Sequence, residues 1–146
     1  MASLVDTNIL VYRCDPRDPH KRAAAREILR AGEISGELRI PHQSLAEFVN
    51  SVTRLHGREA PIMGLADATR QAELFMAQFP VLYPNEAVFR MALLGKAAYG
   101  LPWYDAHLWA YAQHFGLPEI LSEDFEHGRR YGTVRIRNPF VERGLA

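Results

Sequence analysis

The sequence predicts an α/β fold: a three-layer α/β/α sandwich around a short, mostly parallel central sheet. Short apolar segments alternate with helix-period segments along the whole chain, which is the pattern of successive βα units. The short segments are mostly apolar on both sides, as strands covered by helices on both faces must be. Prolines, glycines and capping residues fall between the segments and mark their ends.

Taken in order, Ser3-Leu4-Val5-Asp6 reads as a first strand and Thr7 to Arg13 as a first helix. Asp15-Pro16-Arg17-Asp18-Pro19 is a loop. His20 to Ala31 is an alanine-rich helix with Gly32 in the C-cap position. Leu38-Arg39-Ile40 is a second strand, stopped by Pro41. His42 to His56 is a third helix, with Leu45, Phe48, Val49, Val52 and Leu55 at helical spacing and Gly57 behind it. Pro61 to Phe79 is a fourth helical stretch, interrupted near Gly64. Val81-Leu82-Tyr83 is a third strand, and Asn85 caps a fifth helix that runs to Tyr99. Gly100-Leu101-Pro102 turns the chain into a sixth helix, ended by Gly116. Glu119-Ile120-Leu121-Ser122 is a fourth strand and Val134-Arg135-Ile136 a fifth. No composition shift or repeat divides the chain, so residues 1–146 are expected to form one domain.

Composition narrows the function classes. At 48% apolar and 23% charged, the 146 residues have an ordinary globular balance, unlike a disordered tail, a collagen-like fibre or a coiled coil. Seventeen basic and seventeen acidic residues cancel, so any polyanion site must be a local patch. Cys14 is the only cysteine, which forbids an internal disulfide and leaves too few thiols for a cysteine-based zinc site. The apolar run from Leu4 to Tyr12 is broken by Asp6 and lacks a basic lead-in, a poor match to a signal peptide. No apolar stretch approaches the roughly 18 residues that a membrane span needs, so a cytoplasmic protein is expected.

In sheets of this kind, sites form beyond the carboxyl ends of the strands, near a topological switch point. Asp6 closes the first strand. It reads either as the N-cap of the following helix or as an acid among apolar neighbours, where a buried charge needs a partner. No Lys or Arg precedes Arg13 to supply one. On the sixth helix, at about 100° per residue, Leu101, Tyr104, Leu108, Trp109, Ala112 and Phe115 share one face. Asp105 lies within that face, although an acid in a first turn also complements the helix dipole. His107 projects to the solvent side. Asp124 ends the fourth strand, as an ordinary Asx turn or as a second acid on the rim of Asp6, while Glu123 points elsewhere into solvent. Glu47 falls away from the Leu45/Phe48/Val52 stripe, with Ser44, Ser51 and Arg54, and by pattern alone reads as solvated. Acids that converge here cannot all stay ionised without positive charge. Such an oxygen-rich cluster suits Mg²⁺ or Mn²⁺, and the reaction it implies is metal-assisted phosphodiester hydrolysis.

Leu4-Val5-Asp6-Thr7-Asn8-Ile9-Leu10, Ala46-Glu47-Phe48, Leu101-Pro102-Trp103-Tyr104-Asp105-Ala106 and Leu121-Ser122-Glu123-Asp124-Phe125 together resemble a PIN-domain ribonuclease. More narrowly, they resemble a VapC-type toxin of a bacterial or archaeal type II toxin–antitoxin pair. The resemblance runs from near residue 3 to about residue 140. Each motif is short, and their order and spacing carry the likeness. It implies that Asp6, Glu47, Asp105 and Asp124 surround Mg²⁺ or Mn²⁺ and position the attacking water. Asn8 and Ser122 match positions that support the acids by hydrogen bonding. It further implies a structured RNA substrate such as tRNA or rRNA, a cognate antitoxin and a homodimer, with no membrane partner. His107 departs from the family, which more often has an aliphatic residue there. The segment Glu126-His127-Gly128-Arg129-Arg130 resembles one branch of the family without an assigned role.

Arg129, Arg130, Arg135 and Arg137, the densest basic stretch, read either as a phosphate- or antitoxin-contacting patch or as solvated arginines. Arg54 and Arg58 are further candidates. The six histidines form no His-x-His or His-Glu-x-x-His arrangement, and His107 and His114 on one helix face do not make a zinc site. Trp103, Tyr104, Trp109, Tyr111 and Phe115 have the spacing of core packing or a dimer interface, and aromatics of this kind also stack bases. No glycine-rich nucleotide loop is present. An aspartate-nucleophile phosphatase would need a second aspartate two residues after Asp6, where Asn8 stands. The remaining alternative is a catalytically silent PIN-like module that binds RNA or protein.

Overall fold

Leu4 and Val5 are adjacent, yet each belongs to a different apolar cluster, because neighbouring side chains on a strand point to opposite faces. The same split separates Ile120 from Leu121. A computed structural model describes residues 1–145 and shows that this alternation organises the molecule. The elements are β1 (Ser3–Val5), α1 (Thr7–Cys14), α2 (Pro19–Ser35), β2 (Leu38–Pro41), α3 (His42–Thr53), α4 (Leu65–Gln78), β3 (Val81–Leu82), α5 (Glu86–Tyr99), α6 (Trp103–His114), β4 (Glu119–Leu121), β5 (Arg130–Tyr131), β6 (Val134–Arg137) and α7 (Pro139–Glu142).

The strands form one sheet in the order β3-β2-β1-β4-β6-β5. All neighbours are parallel except β5 and β6, which form an antiparallel hairpin at the edge. On one face Val5, Leu121 and Ile40 pack against Leu10 of α1, Leu29 of α2, Phe48 of α3 and Phe75 of α4. On the other, Leu4, Ile120, Val134 and Ile136 pack against Val88 and Ala92 of α5 and Leu108 and Trp109 of α6. This is the three-layer sandwich expected from the sequence. From β1 the chain winds outward to β2 and β3, then returns to lay β4 on the other side of β1. The carboxyl ends of β1 and β4 therefore flank the switch point, where a parallel sheet opens a crevice.

Several boundaries differ from expectation, each for a packing reason. Gly32 is not a cap: α2 continues to Ser35, and Gly36 takes the left-handed turn at φ 72°. Gly32 is an interior contact, where a Cβ would collide with the Leu38 side chain of β2. Helix α3 ends at Thr53, so Leu55 lies outside it and is exposed, and Gly57 serves a turn at φ 65° rather than a helix end. Strand β5 carries too little apolar sequence to be recognised, since its exposed Arg130 is held by pairing with Arg135. The interruption at Gly64 is the start of α4, and Asn85 caps α5 by accepting a bond from the Val88 N–H.

Candidate active site

Asp6 is both of the things its sequence position offered. Standing at the end of β1, it caps α1 through Oδ1, which accepts from the Thr7 N–H at 2.6 Å. Its Oδ2 accepts from the Ser122 hydroxyl at 2.5 Å and from Asn8 Nδ2 at 3.2 Å. Only 4% of Asp6 is exposed. Burial pushes its carboxyl up to about 7; the Ser122 bond opposes the shift and the Asp124 charge reinforces it. Asn8 Nδ2 also donates to Asp124 Oδ2 at 3.2 Å, so one amide bridges the acids at the ends of β1 and β4. The Asp124 N–H in turn donates to the Ser122 hydroxyl at 3.0 Å. Asn8 and Ser122 are thus each hydrogen-bonded to Asp6 and Asp124.

The other two acids arrive from helices on opposite faces of the sheet. Asp105, in the first turn of α6, is raised to about 6 by burial and by the charges of Asp124 and Glu47. Asp124 is likewise raised, first by burial and then by Glu123 and Glu47. Glu47 is not the solvated residue its helix pattern suggested. It is half-buried, with Oε2 accepting from the Thr7 hydroxyl at 2.8 Å and Oε1 from Gln43 Nε2 at 3.0 Å. The polar side of α3 lies over the start of α1, which a pattern confined to one helix does not reveal. Thr7 and Gln43 had no signal of their own as supporting groups, although Thr7 lies inside the Asp-Thr-Asn motif.

No lysine or arginine forms an ion pair with any of these four acids among the described residues. Two nearby cations are engaged elsewhere, Lys21 with Glu123 at 3.0 Å and Arg17 with Asp15 and Glu59, while Arg54 makes no ion pair among the described residues. Glu123 is therefore not free in solvent, since it also accepts from the Tyr12 hydroxyl at 2.7 Å. The donor set suits a hard cation: the carboxylates repel one another, and Asn8 Oδ1 is a buried oxygen without a hydrogen-bond partner among the described residues. Among the described residues, no three such side chains converge tightly enough to hold an ion by themselves. That spacing fits a cation that keeps most of its waters and takes one or two carboxylates, as Mg²⁺ does. Thr7, Asn8, Glu47 and Asp124 line a cleft of about 560 Å³, together with Tyr104 and Arg54. A larger groove, about 680 Å³, lies elsewhere and contains none of the four acids.

Three expectations near the site are corrected. Tyr104 does not join the core face of α6; it is 67% exposed, and Phe115 is also exposed. His107 does not project freely into solvent. It packs edge-on against Trp103 at 4.3 Å and beside Phe89 at 5.7 Å, and burial lowers its pKa. The arginines of the basic stretch are not all free in solvent. Arg137 pairs with Glu119 and Glu142, and Arg129 pairs with Glu126 and lies over the Tyr131 ring, while Arg130 and Arg135 are exposed and face each other across the hairpin.

A parallel sheet sandwiched by helices, with acids gathered where β1 and β4 separate, defines an α/β protein with a carboxylate site at its switch point. The family profile of the PIN domain matches residues 3–132, and the chain belongs to that family. Its fold is similar to VapBC2 of Rickettsia felis bound to a promoter DNA fragment, 12% identical, with TM-score 0.70 over 94% of this chain and 98% of that one. DNA-bound VapBC of Salmonella typhimurium is 15% identical, with TM-score 0.70 over 95% and 99%. The sarcin–ricin-loop-cleaving toxin VapC20 of Mycobacterium tuberculosis is 13% identical, with TM-score 0.67 over 84% and 90%. No curated protein matches the sequence significantly.

Proposed function

We propose that this chain is a Mg²⁺- or Mn²⁺-dependent endoribonuclease and the toxin of a toxin–antitoxin pair. The observation that carries the reading is the set of four carboxylates at the switch point, of which Glu47 and Asp124 line the cleft, with raised pKa values at three and no basic partner at any among the described residues. Asp6, Glu47, Asp105 and Asp124 would hold the cation, one or two of them directly and the others through its waters. When bound, it lowers the pKa of a coordinated water and offsets the charge of the attacked phosphate. The chain's own contribution is orientation. Ser122 and Asn8 fix the Asp6 and Asp124 oxygens, and Thr7 with Gln43 fixes Glu47. Being buried, Asp6 cannot turn away to solvent when its charge is uncompensated.

The similar structures, toxin–antitoxin complexes and a sarcin–ricin-loop-cleaving toxin, favour an antitoxin partner and a structured RNA substrate such as tRNA or rRNA. Arg130 and Arg135, exposed and without acid partners among the described residues, are the members of the basic stretch best placed to meet phosphate or an acidic antitoxin segment. Phe89, Leu93 and Leu94 form an exposed apolar row on α5 that suits a homodimer. A catalytically silent binding module is the second reading, and it draws on the failure of any three acid side chains to converge as they stand.

The deciding experiment is cleavage of total cellular RNA in Mg²⁺, Mn²⁺ or EDTA by the wild type and by Asp6→Asn. Discrete fragments that need the metal and vanish in the variant, with the melting temperature preserved, are expected. Asparagine caps a helix as well as aspartate, so the fold survives. Lost cleavage accompanied by a collapse in melting temperature would instead make Asp6 a structural cap. No cleavage by the folded, metal-supplied wild type would favour the binding module.

A further inference from the structure

Tyr104 exposes 67% of its surface one residue before Asp105, on the wall of the cleft that Glu47 and Asp124 also line. Two features set it apart from a scattered surface aromatic. Its position is tied to the acids, because Gln43 Nε2 donates both to the Tyr104 carbonyl and to Glu47 Oε1, each at 3.0 Å. Its ring is also backed by others. His107 lies 6.3 Å behind it at 33°, itself packed against Trp103 and Phe89, which are in edge contact with each other at 5.8 Å. The ring therefore has an outer face open to the cleft and an inner side fixed by packing. Its hydroxyl has no hydrogen-bond partner among the described residues. Arg54, in the same cleft, has no acid partner among the described residues, whereas Arg17 is neutralised by Asp15 and Glu59.

We propose that Tyr104 is a nucleobase-stacking platform that selects an unpaired nucleotide beside the carboxylates. The proposal rests on the nucleic-acid reading of the site and names its substrate class as single-stranded or splayed-out RNA. A cleft walled by acids repels a polyanion, so an uncharged contact is needed to draw a nucleotide in, and stacking supplies it for every base. Stacking on a protein ring requires a free base face, and bases inside a duplex have none to offer. Arg54 then serves as a counter-charge for a phosphate further along the strand.

The test is binding of a fluorescently labelled eight-nucleotide single-stranded RNA, alone or annealed to its complement, in EDTA so that no cleavage intervenes. Wild type, Y104F and Y104A are compared. Y104A should bind the single strand about tenfold or more weakly, Y104F should bind as wild type does, and duplex binding should be equal in all three. Single-strand binding should also quench tryptophan fluorescence in the wild type, since Trp103 belongs to the same ring cluster. Undiminished binding by Y104A, an equal loss in Y104F, or a change of oligomeric mass in Y104A would each overturn the proposal. Cleavage assays of the same proteins with Mn²⁺ separate the two readings. A wild type that binds through Tyr104 but never cleaves defeats the nuclease alone. A wild type that cleaves while Y104A binds and cleaves equally well defeats the platform alone.

Discussion

At Asp6, the burial that makes a carboxylate useful also makes it costly. Its proton affinity is about 7 in the folded protein against 3.8 for the free side chain, and that of Asp105 is about 6. A raised carboxylate contributes stability that is fully present below the unfolded value and is lost as pH rises through the folded one. For Asp6 and Asp105 the window therefore runs from near pH 4 to about pH 7, and the metal-free protein carries both charges at a cost above it. Asp15 shifts the other way, held low by Arg17, so its effect falls at more acid pH and does not confuse the comparison. The difference in melting temperature between Asp6→Asn and wild type in EDTA should grow in favour of the variant from pH 5 to pH 8. The gain is of the order of a few kcal/mol. Adding Mn²⁺ should raise the melting temperature of the wild type at pH 8 and do little at pH 5. A pH-independent difference would mean that burial does not perturb Asp6.

At the level of elements, spacing determines which side of a helix is apolar but not what covers its other side. The wheel of α3 placed Leu45, Phe48 and Val52 in the core correctly, and all three are buried. It could not show that the start of α1 lies over the polar side and turns Glu47 inward. The wheel of α6 failed for a related reason. The helix is buried nearly all round, through Ala106, Leu108, Trp109, Ala110, Tyr111 and Ala112, and its free sector begins at Tyr104. By sequence Gly32 resembles a helix stop, because glycine commonly is one. Its actual role is to let α2 approach Leu38. Gly32→Ala should therefore destabilise the protein by about 1–2 kcal/mol. An alanine free of that contact would bring the gain of about 1 kcal/mol usual inside a helix. Urea unfolding distinguishes the two signs.

Across the whole molecule, the sheet both separates and couples two cores. Leu4 and Ile120 face one cluster, and Val5 and Leu121 the other, on strands that are bonded side by side. Neither cluster can loosen without releasing strands that the other packs against, so unfolding should be a single cooperative transition. Phe48→Ala, in the cluster opposite Trp109, is expected to cost about 3–5 kcal/mol. Even so, far-ultraviolet circular dichroism and the tryptophan signal should move through one midpoint. Two separated midpoints would show the layers to be independent.

The sequence by itself determined the fold class and the order of most elements, and it singled out four acids as candidates. Strand periodicity, capping residues and short motifs are local properties, written within a few neighbouring residues such as Leu4 to Asn8. Only the tertiary structure decided that β4 lies beside β1, that Asn8 joins Asp6 to Asp124, and that Thr7 and Gln43 hold Glu47. It also decided that Tyr104 faces the cleft rather than the core. Asn8 to Asp6 and Gln43 to Glu47 are local pairs, but the relations that assemble the site join residues 40 and 116 positions apart. Side-chain contact at such separations depends on strand order and helix packing, and no local pattern encodes it.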